Sequence, residues 1–206
     1  MQAIHQRMAS LVFCLSSKVQ RMCTNLPQKL PASLMIQQKD SVIPVLPIQQ
    51  SWQSRRKIAA LEGGVGAMCT TSGQAATLLS ILNICQAGDS IISTPEIYGG
   101  TINLFSFTLK KLGIECIYVD KNMSDDEIKA CFKENTKLVF GETIANPALT
   151  VFDIERFANI AHAMGVPLIV DNTFATPILC KPFDFGADIV VHSTSKYMDG
   201  HAVQIG

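Results

Sequence analysis

Residues 168–197 read LIVDNTFATPILCKPFDFGADIVVHSTSKY. The stretch holds two short apolar runs, Leu168-Ile169-Val170 and Ile189-Val190-Val191, joined by a connection long enough for a crossover. Branched apolar residues without polar alternation mark strands buried on both faces, and such strands belong to parallel sheets. In a parallel sheet covered by helices, ligands bind beyond the carboxyl ends of the strands. The first run ends on Asp171, and the second leads into His192-Ser193-Thr194-Ser195-Lys196. An acid and a hydroxyl-flanked lysine thus stand where such a sheet presents its chemistry.

Upstream the alternation of strand and helix repeats. Ile58–Glu62 reads as a helix end, stopped by Gly63-Gly64, and Ala67–Thr70 as a strand. A helix is expected from Ser72 or Gly73 to about Cys85, a strand at Ser90–Ser93, a helix over Thr101–Lys111 and a strand at Glu115–Val119. Ser124 with Glu127 three residues later forms a capping box for the next helix. Leu138–Phe140 reads as a strand. Asp153 caps a helix to about Met164, ended by Gly165. Strands alternating with helices of this length indicate an α/β fold with a mostly parallel sheet between two helical layers.

The first 57 residues differ. They carry eight Lys/Arg (Arg7, Lys18, Arg21, Lys29, Lys39, Arg55, Arg56, Lys57) against one acid, Asp40. They are rich in Gln, with Pro at 27, 31, 44 and 47, and show no sustained period. Leu11–Leu15 is too short for a signal-peptide core. Residues 1–57 are expected to be an atypical, disordered leader, with a transit peptide or an out-of-frame segment as its origin. Residues 58–206 are expected to form the functional domain.

The formal net charge is zero, so nothing points to nucleic acid or an anionic membrane. No apolar run approaches the about 20 residues that span a bilayer. The seven Cys lack C-x-x-C spacing, and buried free thiols in a cytoplasmic protein are the expectation. No metal-ligand spacing is present, so no metal site is expected.

At the strand ends, Ser72-Gly73-Gln74 opens a helix, where backbone N–H groups can cradle a phosphate; the same residues would also serve as a plain helix cap. Gly64-Val65-Gly66 does not make a dinucleotide fingerprint, because Cys69 stands where the third Gly belongs. Asp171 could keep a pyridine nitrogen protonated, or serve as a cap or metal ligand. Lys196 could act as a Schiff-base nucleophile or lie on a surface loop. Ser193 and Ser195 beside it favour the first reading, because their hydroxyls can bind phosphate oxygens. Tyr98 could stack on a planar ring or pack at the core edge. The order decides: anion cradle, ring stacker, acid, then lysine, each after its own strand.

With these residues in place, the sequence resembles the Cys/Met-metabolism family of pyridoxal-phosphate (PLP) enzymes, of fold type I. The resemblance runs from about Ile58 to Gly206. It rests on Ala60–Gly64, Ser72-Gly73, Tyr98–Thr101, Glu142–Pro147, Asp171–Pro177 and His192–Tyr197. It implies a three-layer α/β/α PLP-dependent transferase fold. Lys196 would hold the cofactor and shuttle protons, with Asp171 on the pyridine nitrogen and Tyr98 on the ring. The phosphate would fall to the backbone N–H groups of Gly73 and Gln74 with Ser193 and Ser195, and Ser72 would belong to the cofactor site. Asn146 would sit near the ring's 3-hydroxyl and the substrate carboxylate, with Glu142 nearby, and Thr173 would join the cofactor site. Gln74, with Tyr98–Phe105 and Lys196–His201, resembles the O-acetylhomoserine sulfhydrylases. The implied reaction replaces acetate by sulfide or a thiol on a small amino-acid substrate. A methionine or cystathionine γ-lyase and an inactive fragment are the alternatives.

Two departures bear on activity. Family members continue past the position of Gly206 into a C-terminal domain, and carry Tyr-x-Arg and Asn-Pro-Thr segments before the helix that ends here at Leu61-Glu62. Ile48–Gln53 stands at that place, and codons for Asn-Pro-Thr-Glu-Leu-Ala-Val read one base later yield Ile-Gln-Gln-Ser-Trp-Gln. The family is expected to be homo-oligomeric, and this chain alone is expected not to be a competent enzyme.

Overall fold

The computed structural model describes residues 11–15 and 46–199, with side chains from Ser54 onward. Gly200 and His201 of the sulfhydrylase-like motif lie outside the described residues.

Seven described strands form one sheet in the order β2-β1-β7-β6-β5-β3-β4. They are β1 (Leu11–Leu15), β2 (Gly66–Thr70), β3 (Ser90–Ser93), β4 (Glu115–Tyr118), β5 (Thr136–Glu142), β6 (Leu168–Asp171) and β7 (Ile189–Val191). From β7 through β4 every pairing is parallel. The helices are α1 (Leu46–Glu62), α2 (Gly73–Leu82), α3 (Gly99–Asn103), α4 (Asp125–Ala130), α5 (Ile154–Ala163) and α6 (Thr176–Leu179).

Alternation along the buried strands feeds two cores, one on each face. Ile92, Val139, Val170 and Val190 pack with Ile128 of α4 and Phe157, Ile160 and Ala161 of α5. Ile91, Leu138, Phe140, Ile169, Ile189 and Val191 pack with Ile81 of α2 and with Phe105 and Leu109. Side chains of successive strand residues point to opposite faces, so a wholly apolar run serves both layers. This is the expected three-layer α/β/α architecture. Gly141 lets the Phe152 ring close on β5, since a Cβ there would collide with it.

Several expectations change in detail. Within residues 1–57, β1 and most of α1 carry regular structure. β1 lies antiparallel between β2 and β7, pairing Phe13 with Met68 on one side and Val191 on the other. Its unbroken apolar run suits an interior strand, a role that a search for signal peptides does not weigh. α2 stops at Leu82, where Asn83 caps it, rather than near Cys85. The helix expected over 101–111 begins at Gly99 and continues from Leu104 to Leu109 as a π-helix. β5 is longer than its apolar centre. The capping box on α4 is present, with Ser124 Oγ accepting from Glu127 N. Of the five free cysteines described, Cys85 is buried and the other four are half-buried. No described helix is long and apolar enough to cross a membrane.

Candidate active site

The carboxyl ends of β2, β3, β5, β6 and β7 open on one side of the sheet. Each delivers a side chain to a shared cavity of about 770 Å³. Ser72, Gly73 and Gln74 line it from the start of α2, and Tyr98 lines it from the start of α3. Asn146 reaches it from the loop after β5, and Asp171 and Thr173 from the end of β6. Ser193, Ser195 and Lys196 close it from the turn after β7. All ten site residues expected from the sequence therefore meet at one place.

Ser72 is the N-cap of α2 and accepts a hydrogen bond from Ala75 N at 3.2 Å. Gly73 and Gln74 are the first two helical residues, and their N–H groups have no intrahelical partner. They supply donors and the positive end of the helix dipole to the cavity. The Gln74 side chain turns elsewhere, with Nε2 donating to Thr101 Oγ1 at 3.3 Å. That bond ties α2 to α3.

Tyr98 precedes α3, and its backbone N–H donates to Glu142 Oε2. Its ring lies against Gly100, where any Cβ would overlap it. Asp171 Oδ1 accepts from Thr173 N at 2.9 Å. Thr173 Oγ1 in turn accepts from Ser193 N at 2.8 Å. Burial pushes the Asp171 carboxyl up, against the lowering by its two bonds with Thr173 and by the nearby His192. Ser193 and Ser195 hydroxyls stand 3.4 Å apart, one residue on either side of Thr194. Lys196 is exposed and lines the cavity.

The sequence singled out neither Phe174 nor Tyr197 as lining residues. Their rings meet edge to face at 5.0 Å between centroids, and both line the cavity with Lys196. Glu142, placed only nearby, is itself a lining residue and the anchor of the Tyr98 amide. The signal was available, because Glu142 ends β5 as Asp171 ends β6.

A planar, phosphorylated pyridine fits this donor set. Helix-start residues and two serines line the cavity for an anion, an acid sits at a strand end, an aromatic ring is held against a glycine, and an exposed lysine completes the lining. The volume is in the range of small-molecule sites, about 300–1,000 Å³.

The profile of the Cys/Met metabolism PLP-dependent enzyme family matches residues 49–206, nine residues earlier than the resemblance read from motifs. The O-acetyl-L-homoserine sulfhydrylase of Corynebacterium glutamicum is 47% identical over 150 residues, 73% of this chain and 34% of that protein. The homocysteine synthase of Schizosaccharomyces pombe is 48% identical over 152 residues, 73% of this chain and 35% of that protein. A Campylobacter jejuni structure, assigned as an O-acetylhomoserine (thiol)-lyase and holding N'-pyridoxyl-lysine-5'-monophosphate, aligns with a TM-score of 0.70 at 38% identity. That alignment covers 73% of this chain and 37% of the other. The chain thus spans about a third of the length of the curated relatives it matches.

Proposed function

Residues 49–206 make this chain a member of the Cys/Met-metabolism family of PLP-dependent enzymes, and on that premise we propose that it holds PLP on Lys196 for γ-replacement on O-acetylhomoserine. The observation that carries this reading is the convergence of Lys196, Asp171, Tyr98 and the N-terminus of α2 on one cavity from separate strand ends. Bound PLP supplies an electron sink that stabilises negative charge developing on the substrate.

The chain's own residues have distinct tasks. The amides of Gly73 and Gln74, with the hydroxyls of Ser193 and Ser195, bind the phosphate and set the ring's position. Asp171 would accept a hydrogen bond from the pyridine N–H and so keep that nitrogen protonated. The Tyr98 ring would cover one face of the bound ring and exclude water there. The Lys196 ε-amine would take the Cα proton and then a Cβ proton, and would return them to Cβ and Cα after the new bond at Cγ has formed. Acetate leaves with its bonding electron pair, and sulfide or a thiol brings the new pair to Cγ. Asn146, which lines the same cavity, would orient the substrate carboxylate. Relatives named as sulfhydrylases and homocysteine synthases support sulfide as the acceptor over a lyase reaction. The whole protein is read as a homo-oligomer of the cytoplasm, the setting its free thiols suit.

The test is borohydride reduction of the chain with PLP, followed by peptide mapping. The pyridoxyl group is expected on Lys196 and lost in Lys196→Ala. Labelling spread over surface lysines overturns the assignment. Supplied with O-acetylhomoserine and sulfide, the whole protein is expected to form homocysteine. A γ-lyase would instead release an α-keto acid and ammonia.

A further inference from the structure

Glu62, the last residue of α1, and His192, the first residue after β7, are both sealed from solvent at 0% exposure. Neither has a task in the chemistry above. Glu62 Oε1 shares a hydrogen bond with His192 Nε2 and accepts another, 2.9 Å long, from Asn172 Nδ2. Asn172 is itself at 0% exposure, and its Nδ2 also donates to the Cys180 carbonyl at 2.9 Å. Its Oδ1 accepts from Thr143 Oγ1 at 2.8 Å, and its backbone N–H donates to Val191 O at 2.9 Å.

One buried carboxylate oxygen therefore joins the residue after Asp171 to the residue before Ser193. An apolar side chain at the end of α1 would dock the helix on the sheet without the cost of desolvating a carboxylate. A carboxylate retained there is expected to do something an apolar group cannot, and its two hydrogen-bond partners identify the task. They lie on the two segments that carry Asp171 with Thr173 and Ser193 with Lys196. His192 also lowers the Asp171 carboxyl against its burial, so the cluster reaches the site electrically as well as by contact.

We propose that Glu62 is a positioning residue of the cofactor site. Its buried carboxylate clamps the segments after β6 and β7, and so sets the spacing between Asp171 and Ser193. The role rests on the PLP reading for its purpose, while the clamp itself is a property of the chain without cofactor.

The experiment compares the full chain with Glu62→Gln and Glu62→Ala by amide hydrogen exchange without cofactor and by PLP titration. Glu62→Ala is expected to speed exchange at 171–176 and 192–196 and leave 90–93 and 138–142 unchanged. Its PLP affinity is expected to weaken about tenfold, the worth of one charge-assisted hydrogen bond. Glu62→Gln, which keeps the shape and one acceptor oxygen, is expected to fall between. If Glu62→Ala does not fold, Glu62→Gln carries both readouts. Exchange that is unchanged, or raised evenly across all strands, overturns the clamp. Locally raised exchange with unchanged PLP affinity overturns the positioning role. Failure of the unmutated chain to take PLP refutes the cofactor reading, and the clamp then stands or falls on exchange alone.

Discussion

Glu142 and Asp171 stand side by side, paired in register at the carboxyl ends of the adjacent parallel strands β5 and β6. Both line the same cavity. Burial pushes the Glu142 carboxyl up to about 8, the charge of Asp171 adds to the rise, and the Tyr98 amide opposes it. Two acids at neighbouring strand ends cannot both ionise cheaply without a cation between them.

That pairing makes the cofactor-free chain sensitive to pH. A carboxyl raised on folding contributes stability that is complete below its ordinary value of 4.5 and is lost as pH rises through about 8. The melting temperature is therefore expected to fall between pH 5 and 8. Glu142→Gln is expected to flatten the fall, because the amide stays neutral and its oxygen can still accept from Tyr98 N. Thermal melts of both proteins across this range check it, and parallel profiles would sink the idea.

Gly100→Ala separates the site from the fold. The added Cβ meets the Tyr98 ring, so the ring must leave its place over the cavity. Ala favours a helix over Gly by about 0.5–1 kcal/mol. PLP affinity is expected to drop severalfold while the melting temperature holds or rises. A titration paired with a melt reads both, and unchanged affinity would show that the ring position does not matter.

Ser124→Ala is the converse. Ser124 and Glu127 cap α4 reciprocally, with Ser124 N donating to Glu127 Oε2 at 2.7 Å. Losing such a cap costs about 1 kcal/mol. Urea unfolding is expected to show that loss, with PLP affinity unchanged because neither residue lines the cavity. A weakened cofactor affinity would contradict the separation of α4 from the site.

Much of this arrangement was legible along the chain. The runs at 168–170 and 189–191 read as buried parallel strands, because only a strand covered on both faces stays apolar throughout, and those at 90–93 and 138–140 read as strands between helices. The strand-end rule then led to Ser72-Gly73, Asp171 and Lys196 without any contact being known. β1 was missed because five apolar residues inside an irregular segment have no local partner to announce them. The π-helix at 104–109 was missed because a shift of hydrogen-bond register leaves the apolar pattern almost unchanged.

By itself, then, the sequence determined the fold class, the positions of the strand ends and the residue types carried there. These follow from periodicity and capping, which act between near neighbours. Only the tertiary structure decided what those residues touch. Glu142 beside Asp171, Gln74 on Thr101, and Glu62 between His192 and Asn172 are contacts across large sequence separations. Sheet order and helix docking create them, and no local pattern encodes a partner 110 or 130 residues away.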